Sequence, residues 1–132
     1  MSRPPARPSE RRARGLAAEA IAARHLEGEG YAVVARNHVC RRGEVDLVAE
    51  KNGHTVFVEV RSRTSASLVH PLETLTVHKR RKVIAAALDW AAKNRRLDGR
   101  PLRFDVMIVL DRGGEGDEIE WIRGAFDGDG GF

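Results

Sequence analysis

The chain has 132 residues and carries 23 Lys and Arg against 19 Asp and Glu. This length suits one domain that can bury a proper core. No apolar run is long enough to span a membrane, and the N-terminus lacks the apolar segment of a secretory signal, so we expect neither a membrane protein nor a secreted one. The single Cys40 excludes an internal disulfide and fits a cytoplasmic location.

The charge is unevenly distributed along the chain. From residue 111 onward seven acidic residues stand against two arginines, a net charge of −5, so the part before it carries +9 within the total of +4. A basic body predicts a polyanionic partner, with nucleic acid as the first candidate and an anionic membrane surface as the second. The alternative is a basic surface that is only well solvated.

Composition divides the chain into a folded domain at residues 15–126 and two ends. Residues 1–14 are rich in Pro, Arg and Ser and are predicted to form a disordered basic tail, and residues 127–132 a second disordered tail. Residues 15–29 are Ala-rich with apolar residues at helical spacing. Glu19 falls on the apolar stripe of this helix, where an acid lies either at the edge of the stripe or points inward at a site.

The strongest local signal is a hairpin centred on Asn52 and Gly53. Two runs of alternating apolar and polar residues flank this pair, and a type I′ turn requires the positive φ angles that Asn and Gly tolerate. With these two residues as the turn, Asp46 lies directly opposite Glu59, with about 4.5–5.5 Å between their Cβ atoms.

This carboxylate pair predicts a metal site. Like charges directly opposite each other destabilise a hairpin, and a divalent cation between Asp46 and Glu59 would remove the repulsion. Mg²⁺ takes one or two carboxylates from a protein and the rest of its ligands from water and phosphate. We therefore expect Mg²⁺ or Mn²⁺ here, with the Val60 carbonyl as a further candidate ligand. The same register places Glu44 opposite Arg61, whose cation reaches the same space.

The two faces of the hairpin differ in character. The mixed face has Val48 and Phe57 beside the turn and its charges at the far end, so that end is expected to open onto a cleft. His38 and Cys40, in the preceding connection, are expected to be structural because the four ligands of a zinc site are not available. The other face is apolar and must be buried: Val45, Leu47, Ala49, Val56, Val58 and Val60.

A second helix is predicted over residues 77–94, and strands over 103–110 and 118–126. Lys79 continues the inner stripe of this helix at its N-terminal end, where the helix dipole disfavours a cation, so it indicates an anion or carboxylate nearby. The alternative is a basic solvated turn. The element order predicts a single α/β domain in which helices flank a mixed central β-sheet: helix, three strands, helix, two strands.

Taken together, these motifs resemble the YraN family of small bacterial proteins and, more widely, the PD-(D/E)XK nucleases. In those enzymes an Asp on one strand is followed by Glu-x-Lys on the next. The resemblance implies a restriction-endonuclease-like fold similar to archaeal Holliday-junction resolvases. It extends from about residue 15 to residue 126 and rests on these motifs: Glu19, Gly43 to Val48, Phe57 to Arg63, Lys79, Arg103 to Val106, and Gly124 to Phe126.

The resemblance also implies roles for individual residues. Glu19, Asp46 and Glu59 would form the acidic catalytic set, with Asp46 and Glu59 holding the metal. Junction-cutting enzymes act as dimers, so a homodimer is implied too. The nucleic acid, by this resemblance DNA, would meet a group of cations: Arg63, Lys79, Arg80 and Lys82.

One position departs from the family pattern, because Arg61 stands where the nucleases have a catalytic lysine. A lysine can lose its proton and help to prepare water for attack, whereas an arginine cannot. Arg61 can still hold a phosphate and stabilise charge as the fourth catalytic residue. Three hypotheses stay open: a Mg²⁺-dependent endonuclease acting on branched or structured DNA, a nucleic-acid-binding protein without turnover, and, less favoured, an adaptor for an acidic protein.

Overall fold

The elements follow one another in the predicted order in a computed structural model of the chain. The structure describes residues 8–64, 68–111 and 118–131. The described residues form two helices, five strands and one turn of 3₁₀ helix at Pro71–Thr74. Their bounds are α1 Pro8–Gly28, β1 Ala32–Cys40, β2 Gly43–Lys51, β3 His54–Thr64, α2 Val77–Lys93, β4 Leu102–Asp111 and β5 Glu118–Phe126.

The five strands form one mixed sheet whose spatial order, β1-β2-β3-β4-β5, is also the order in the chain. Neighbouring strands are antiparallel except β3 and β4, which are parallel. A parallel pair needs a crossover connection, and α2 supplies it. The result is the predicted single α/β domain with a mixed sheet, and it is consistent with a restriction-endonuclease-like fold.

The helices cover opposite faces of the sheet, so the central strands are buried on both sides. One apolar cluster joins α1, through Ala22 and Leu26, to Leu47 and Val58 of the hairpin. The other joins α2 to Phe57, which contacts Trp90 edge-on. Because both faces are buried, β2 and β3 carry nearly continuous apolar runs close to the turn.

The predicted hairpin turn is confirmed. Asn52 has φ of 52° and Gly53 has φ of 77°, the positive values that a type I′ turn needs. Lys51 pairs with His54, and the predicted register continues as far as Leu47, which pairs with Val58.

Beyond Leu47 the structure departs from the predicted register, because β2 leaves β3. The first residues of β2 lean toward α2 instead. An ideal Cβ placed on Gly43 would lie 2.1 Å from the main-chain oxygen of Lys82, so only a glycine permits this approach. The bend also moves Val45 into the α2 cluster, which corrects the prediction that it shares a face with Leu47.

We expect Gly43→Ala to destabilise the domain by about 2–3 kcal/mol, because the added methyl group must push β2 away from the helix backbone. Urea unfolding measures this loss. Gly28→Ala is the matched control, since a Cβ on Gly28 meets nothing within 4 Å. Equal stability of the two variants would contradict the close contact at Gly43.

Both ends of the domain differ from the prediction of disordered tails. Helix α1 begins at Pro8 and includes the arginines before Gly15. Residues 1–7 lie outside the described part of the chain. At the other end, the Asp127 N–H donates to the Gly131 carbonyl, and Gly130 is buried against α2. No helix within the described residues is long and apolar enough to cross a membrane.

Candidate metal and phosphate site

An open cavity of about 200 Å³ lies where β2 and β3 separate, between the sheet and the start of α2. Asp46 from β2 and Glu59 from β3 lie at its base, within hydrogen-bonding reach of each other. The two carboxylates are therefore close to each other, as predicted, although Asp46 and Glu59 are not paired in the strand ladder. The full lining is Glu44, Asp46, Glu59, Arg61, Leu75, Lys79, Lys82 and Val83.

Asp46 is held in place by the strand from which β2 departs. Its Oδ2 accepts a hydrogen bond of 2.8 Å from the Val60 N–H, so a side chain replaces a backbone partner at this point of the sheet. The N–H and carbonyl of one strand residue point to the same side. The Val60 carbonyl therefore faces β2 as well, as a ligand at this position requires.

Burial and mutual repulsion raise the pKa values of both carboxyl groups. Loss of water is the main cause and raises the pKa of Asp46 to about 7, although the Val60 N–H lowers it. Burial followed by the charge of Asp46 raises the pKa of Glu59 to about 8. The charge of Arg61 lowers the pKa of Glu59 but does not offset the burial, and carboxyl groups with raised pKa values in a cleft are a common feature of functional sites.

Arg61 offsets only part of the charge of this pair. Its Nε lies 3.4 Å from Oε1 of Glu59, so its partner is Glu59 and not Glu44 as the extended register predicted. The Nε is buried and has no hydrogen-bond acceptor among the residues that the structure describes. A buried guanidinium nitrogen without an acceptor is costly, and an incoming oxyanion would satisfy it.

Two further acids act on the pair from either side. Glu19 of α1 is half-buried, and its charge raises the pKa of Asp46, so the helix points it toward the pair as the inward alternative predicted. Glu44 lines the cavity, and its charge raises the pKa values of both Asp46 and Glu59. From the sequence, Glu44 was expected only to lie opposite Arg61. No local sequence pattern identifies it as part of the site.

Lys79 and Lys82 face these acids from the first turns of α2. Thr76 caps the helix by accepting the Lys79 N–H, and the close contact at Gly43 fixes the height of Lys82 above β2. Both lysines are exposed, and neither ammonium forms an ion pair with any residue in the described ranges. They are therefore available to an anion that enters the cavity.

Two of the predicted nucleic-acid contacts lie elsewhere. Arg80 is buried, and its guanidinium donates to the main-chain oxygens of Leu75 and Gly130, so it anchors the C-terminal turn and does not face the cavity. The helix turns through about 100° per residue, which points Arg80 away from its neighbour Lys79. Arg63 lines a separate cavity of about 430 Å³ together with Glu118 and Glu120.

Other polar residues of the motifs prove to be structural. Nε2 of His38 lies 2.7 Å from Oδ2 of Asp89, a hydrogen bond that joins β1 to α2. Asp105 is fully buried and accepts hydrogen bonds from Arg103, from the indole N–H of Trp121 and from the Gly124 N–H. This network stabilises the irregular pairing of β4 with β5, and it lies outside the cavity.

The donor set can be compared with what a metal ion requires. Within the described part of the chain, no three His, Cys, Asp or Glu side chains converge as a protein-only metal site requires. Two adjacent carboxylates and a strand carbonyl are, however, what Mg²⁺ takes from a protein when water and phosphate complete its shell. The residues present therefore fit a hard divalent cation that binds together with a phosphate ligand.

Comparison with known proteins places the chain in a family. The model of the uncharacterised protein family UPF0102 matches residues 18–109, which include the whole cavity. The chain is 48% identical over 121 residues to a UPF0102 protein of Anaeromyxobacter sp. (strain Fw109-5), covering 92% of this chain and 90% of the relative. A UPF0102 protein of Myxococcus xanthus (strain DK1622) is 44% identical over 122 residues, covering 92% and 95%. One of Lachnoclostridium phytofermentans is 42% identical over 113 residues, covering 86% and 92%. The chain thus belongs to the uncharacterised protein family UPF0102, the YraN family that its motifs indicated.

Proposed function

We propose that this protein binds nucleic acid over the cavity and acts as a Mg²⁺- or Mn²⁺-dependent endonuclease on branched or structured DNA. The observation that carries the proposal is the buried pair Asp46 and Glu59, whose charge Arg61 offsets only in part and which faces two lysines that have no ion-pair partner among the described residues. Carboxylates suit a hard cation, and lysines suit a phosphate. A nucleic-acid backbone together with a divalent cation would satisfy both at once.

Each residue of the cavity has a definite role under this proposal. Asp46 and Glu59 hold the cation, which when bound activates water and neutralises charge on phosphorus. Lys79 and Lys82 bind the phosphates on the α2 side, and the Arg61 guanidinium donates to the oxygen that gains charge. Glu19 adds negative charge beside Asp46, so the pair attracts a cation more strongly.

A second candidate function is nucleic-acid binding without turnover. Arg61 favours it, because its guanidinium keeps its proton at every accessible pH and cannot act as a base. The cations and the carboxylate pair would still hold a backbone and a metal ion. The two candidates therefore share a binding step and differ only in cleavage.

Incubation of the pure protein with Mn²⁺ and a panel of junction, flap, single-stranded and duplex DNA separates the candidates. We expect cleavage of at least one branched substrate, and its loss in Asp46→Asn. Cleavage that persists in this variant would mean contamination, whereas binding without cleavage would support the second candidate.

Salt dependence tests the binding step itself. Phosphate contacts release counterions, so the affinity for DNA should fall steeply with rising salt. A flat salt response, or no binding at all, would contradict both candidates and favour an adaptor that meets an acidic protein.

A further inference from the structure

The turn between β1 and β2 carries two arginines that the fold does not explain. Cys40 pairs with Gly43, so Arg41 and Arg42 are the two central residues of a tight hairpin turn. Turns of this kind favour Gly, Asn, Asp or Ser, and neither arginine has the positive φ that would demand a special residue. Both are exposed, and two adjacent cations repel each other.

These arginines also lack acidic partners. Among the residues that the structure describes, neither guanidinium forms an ion pair or a side-chain hydrogen bond. Some exposed arginines in the described ranges do have acidic partners: Arg36 pairs with Glu27 and Arg100 with Asp98.

Two contacts fix the turn against the helix that borders the cavity. Gly43 approaches the main chain of Lys82, and His38, two residue pairs further along β1, forms a hydrogen bond with Asp89. The turn is thus attached to α2 on both of its sides. Arg41 and Arg42 consequently lie in a turn that adjoins the Lys82 segment of α2, and Lys82 lines the cavity.

We propose that Arg41 and Arg42 form a second phosphate-binding position, which receives the nucleic-acid backbone as it leaves the carboxylate cavity past Lys82. The proposal rests on the function proposed above and adds a direction to it. The strand enters over the carboxylates and continues across the β1–β2 turn. A partner made of repeated phosphates matches cations at both positions, whereas a single small phosphate would reach only the lysines.

Binding measurements on Arg41→Gln/Arg42→Gln test this position. The slope of log affinity against log salt should become shallower by about 1.8 for duplex DNA, at about 0.9 for each lost phosphate contact. Affinity at about 0.1 M salt should fall roughly tenfold. For a fragment of about four nucleotides, the lower end of usual site sizes, the loss should be under twofold because the strand does not reach the turn.

The matched control is Arg24→Gln/Arg36→Gln, which removes the same charge from the side of the sheet that α1 covers. We expect this variant to retain the salt slope of the parent. Equal weakening in both variants would overturn the proposal, because it would show an effect of net charge alone. An unchanged slope in the turn variant, with tight binding by the parent, would overturn it while leaving the proposed function intact.

A metal-induced rise in melting temperature provides the check on folding. The turn variant retains Asp46 and Glu59, so Mn²⁺ should raise its melting temperature as much as it raises that of the parent. A parent that binds no nucleic acid would refute the proposed function and this inference together.

Discussion

Asp46→Asn is expected to make the domain more stable at pH 8 by about 2 kcal/mol, or roughly 5–10 °C in melting temperature. The amide still accepts the Val60 N–H, and it can donate to Glu59. The substitution therefore removes a buried charge without removing a hydrogen bond. At pH 5, where the parent carboxyls are already protonated, the two proteins should differ little.

The sign of this pH dependence follows from the direction of the shifts. Both carboxyl groups have folded-state pKa values, about 7 and about 8, above their ordinary values of 3.8 and 4.5. Between about pH 4 and pH 8 the folded protein thus retains protons that the unfolded chain has released. Unfolding free energy then falls as the pH rises through this window. Asp46→Asn should flatten that fall, whereas an isosteric change at an exposed carboxylate, Asp98→Asn, should not.

Metal ions should narrow this difference in stability. At about 10 mM Mg²⁺, a site with a dissociation constant near 1 mM stabilises the parent by about 1.4 kcal/mol at pH 8. Asp46→Asn removes a ligand and should show no such rise in melting temperature. An equal rise in both proteins would place metal binding elsewhere, and no rise in the parent would refute a metal at the cavity.

The parts of this structure that were predictable from sequence are those set by local signals. Asn52 and Gly53 dictate their turn through backbone sterics alone, and the turn then dictates the pairing as far as Leu47. Lys79 could be assigned to the site because a cation on the inner stripe at a helix start is unfavourable unless an anion lies nearby. The proximity of Asp46 and Glu59 could be predicted by counting residues outward from this turn.

The rest depended on contacts between residues far apart in the chain. Gly43 looks like an ordinary glycine until the backbone of Lys82 is seen against it, and this contact is what ends the hairpin ladder. The role of Arg80 could not be recognised either, since its acceptor Gly130 lies fifty residues away in a segment that composition assigned to a disordered tail. Periodicity describes one element at a time, and these features belong to pairs of elements.

The bend in β2 also creates the site, since a regular hairpin would have no cavity here. In a continuous ladder the Val60 N–H would bond to the β2 backbone. Because β2 leans toward α2, that N–H turns to Asp46 instead, and the space opened beside it is where Lys79 and Lys82 face the carboxylates. The packing of β2 against α2 therefore also forms the cavity.

Arg61→Lys is expected to raise the rate of metal-dependent DNA cleavage by about ten- to a hundredfold. A positioned group that can exchange a proton contributes about 10²–10⁴-fold to catalysis, and the guanidinium of Arg61 cannot exchange one. The ammonium introduced by the substitution can, and it would remain beside Glu59, whose carboxylate lies 3.4 Å from the present Nε. Single-turnover cleavage of the preferred branched substrate between pH 6 and pH 9 measures the effect. The variant should show a steeper rise with pH than the parent, in which only the cavity carboxyls titrate in this range.

Arg63→Lys is the matched control for this gain, because it makes the same change two residues along the same strand but beside Glu118 and Glu120 in the separate cavity. It should leave the rate and its pH profile unchanged. A lower rate in Arg61→Lys than in the parent would mean that the fixed charge and forked geometry of arginine matter more than a mobile proton. In that case the cavity uses Arg61 to hold a phosphate, and an arginine at this position is an adaptation of the site and not the loss of its chemistry.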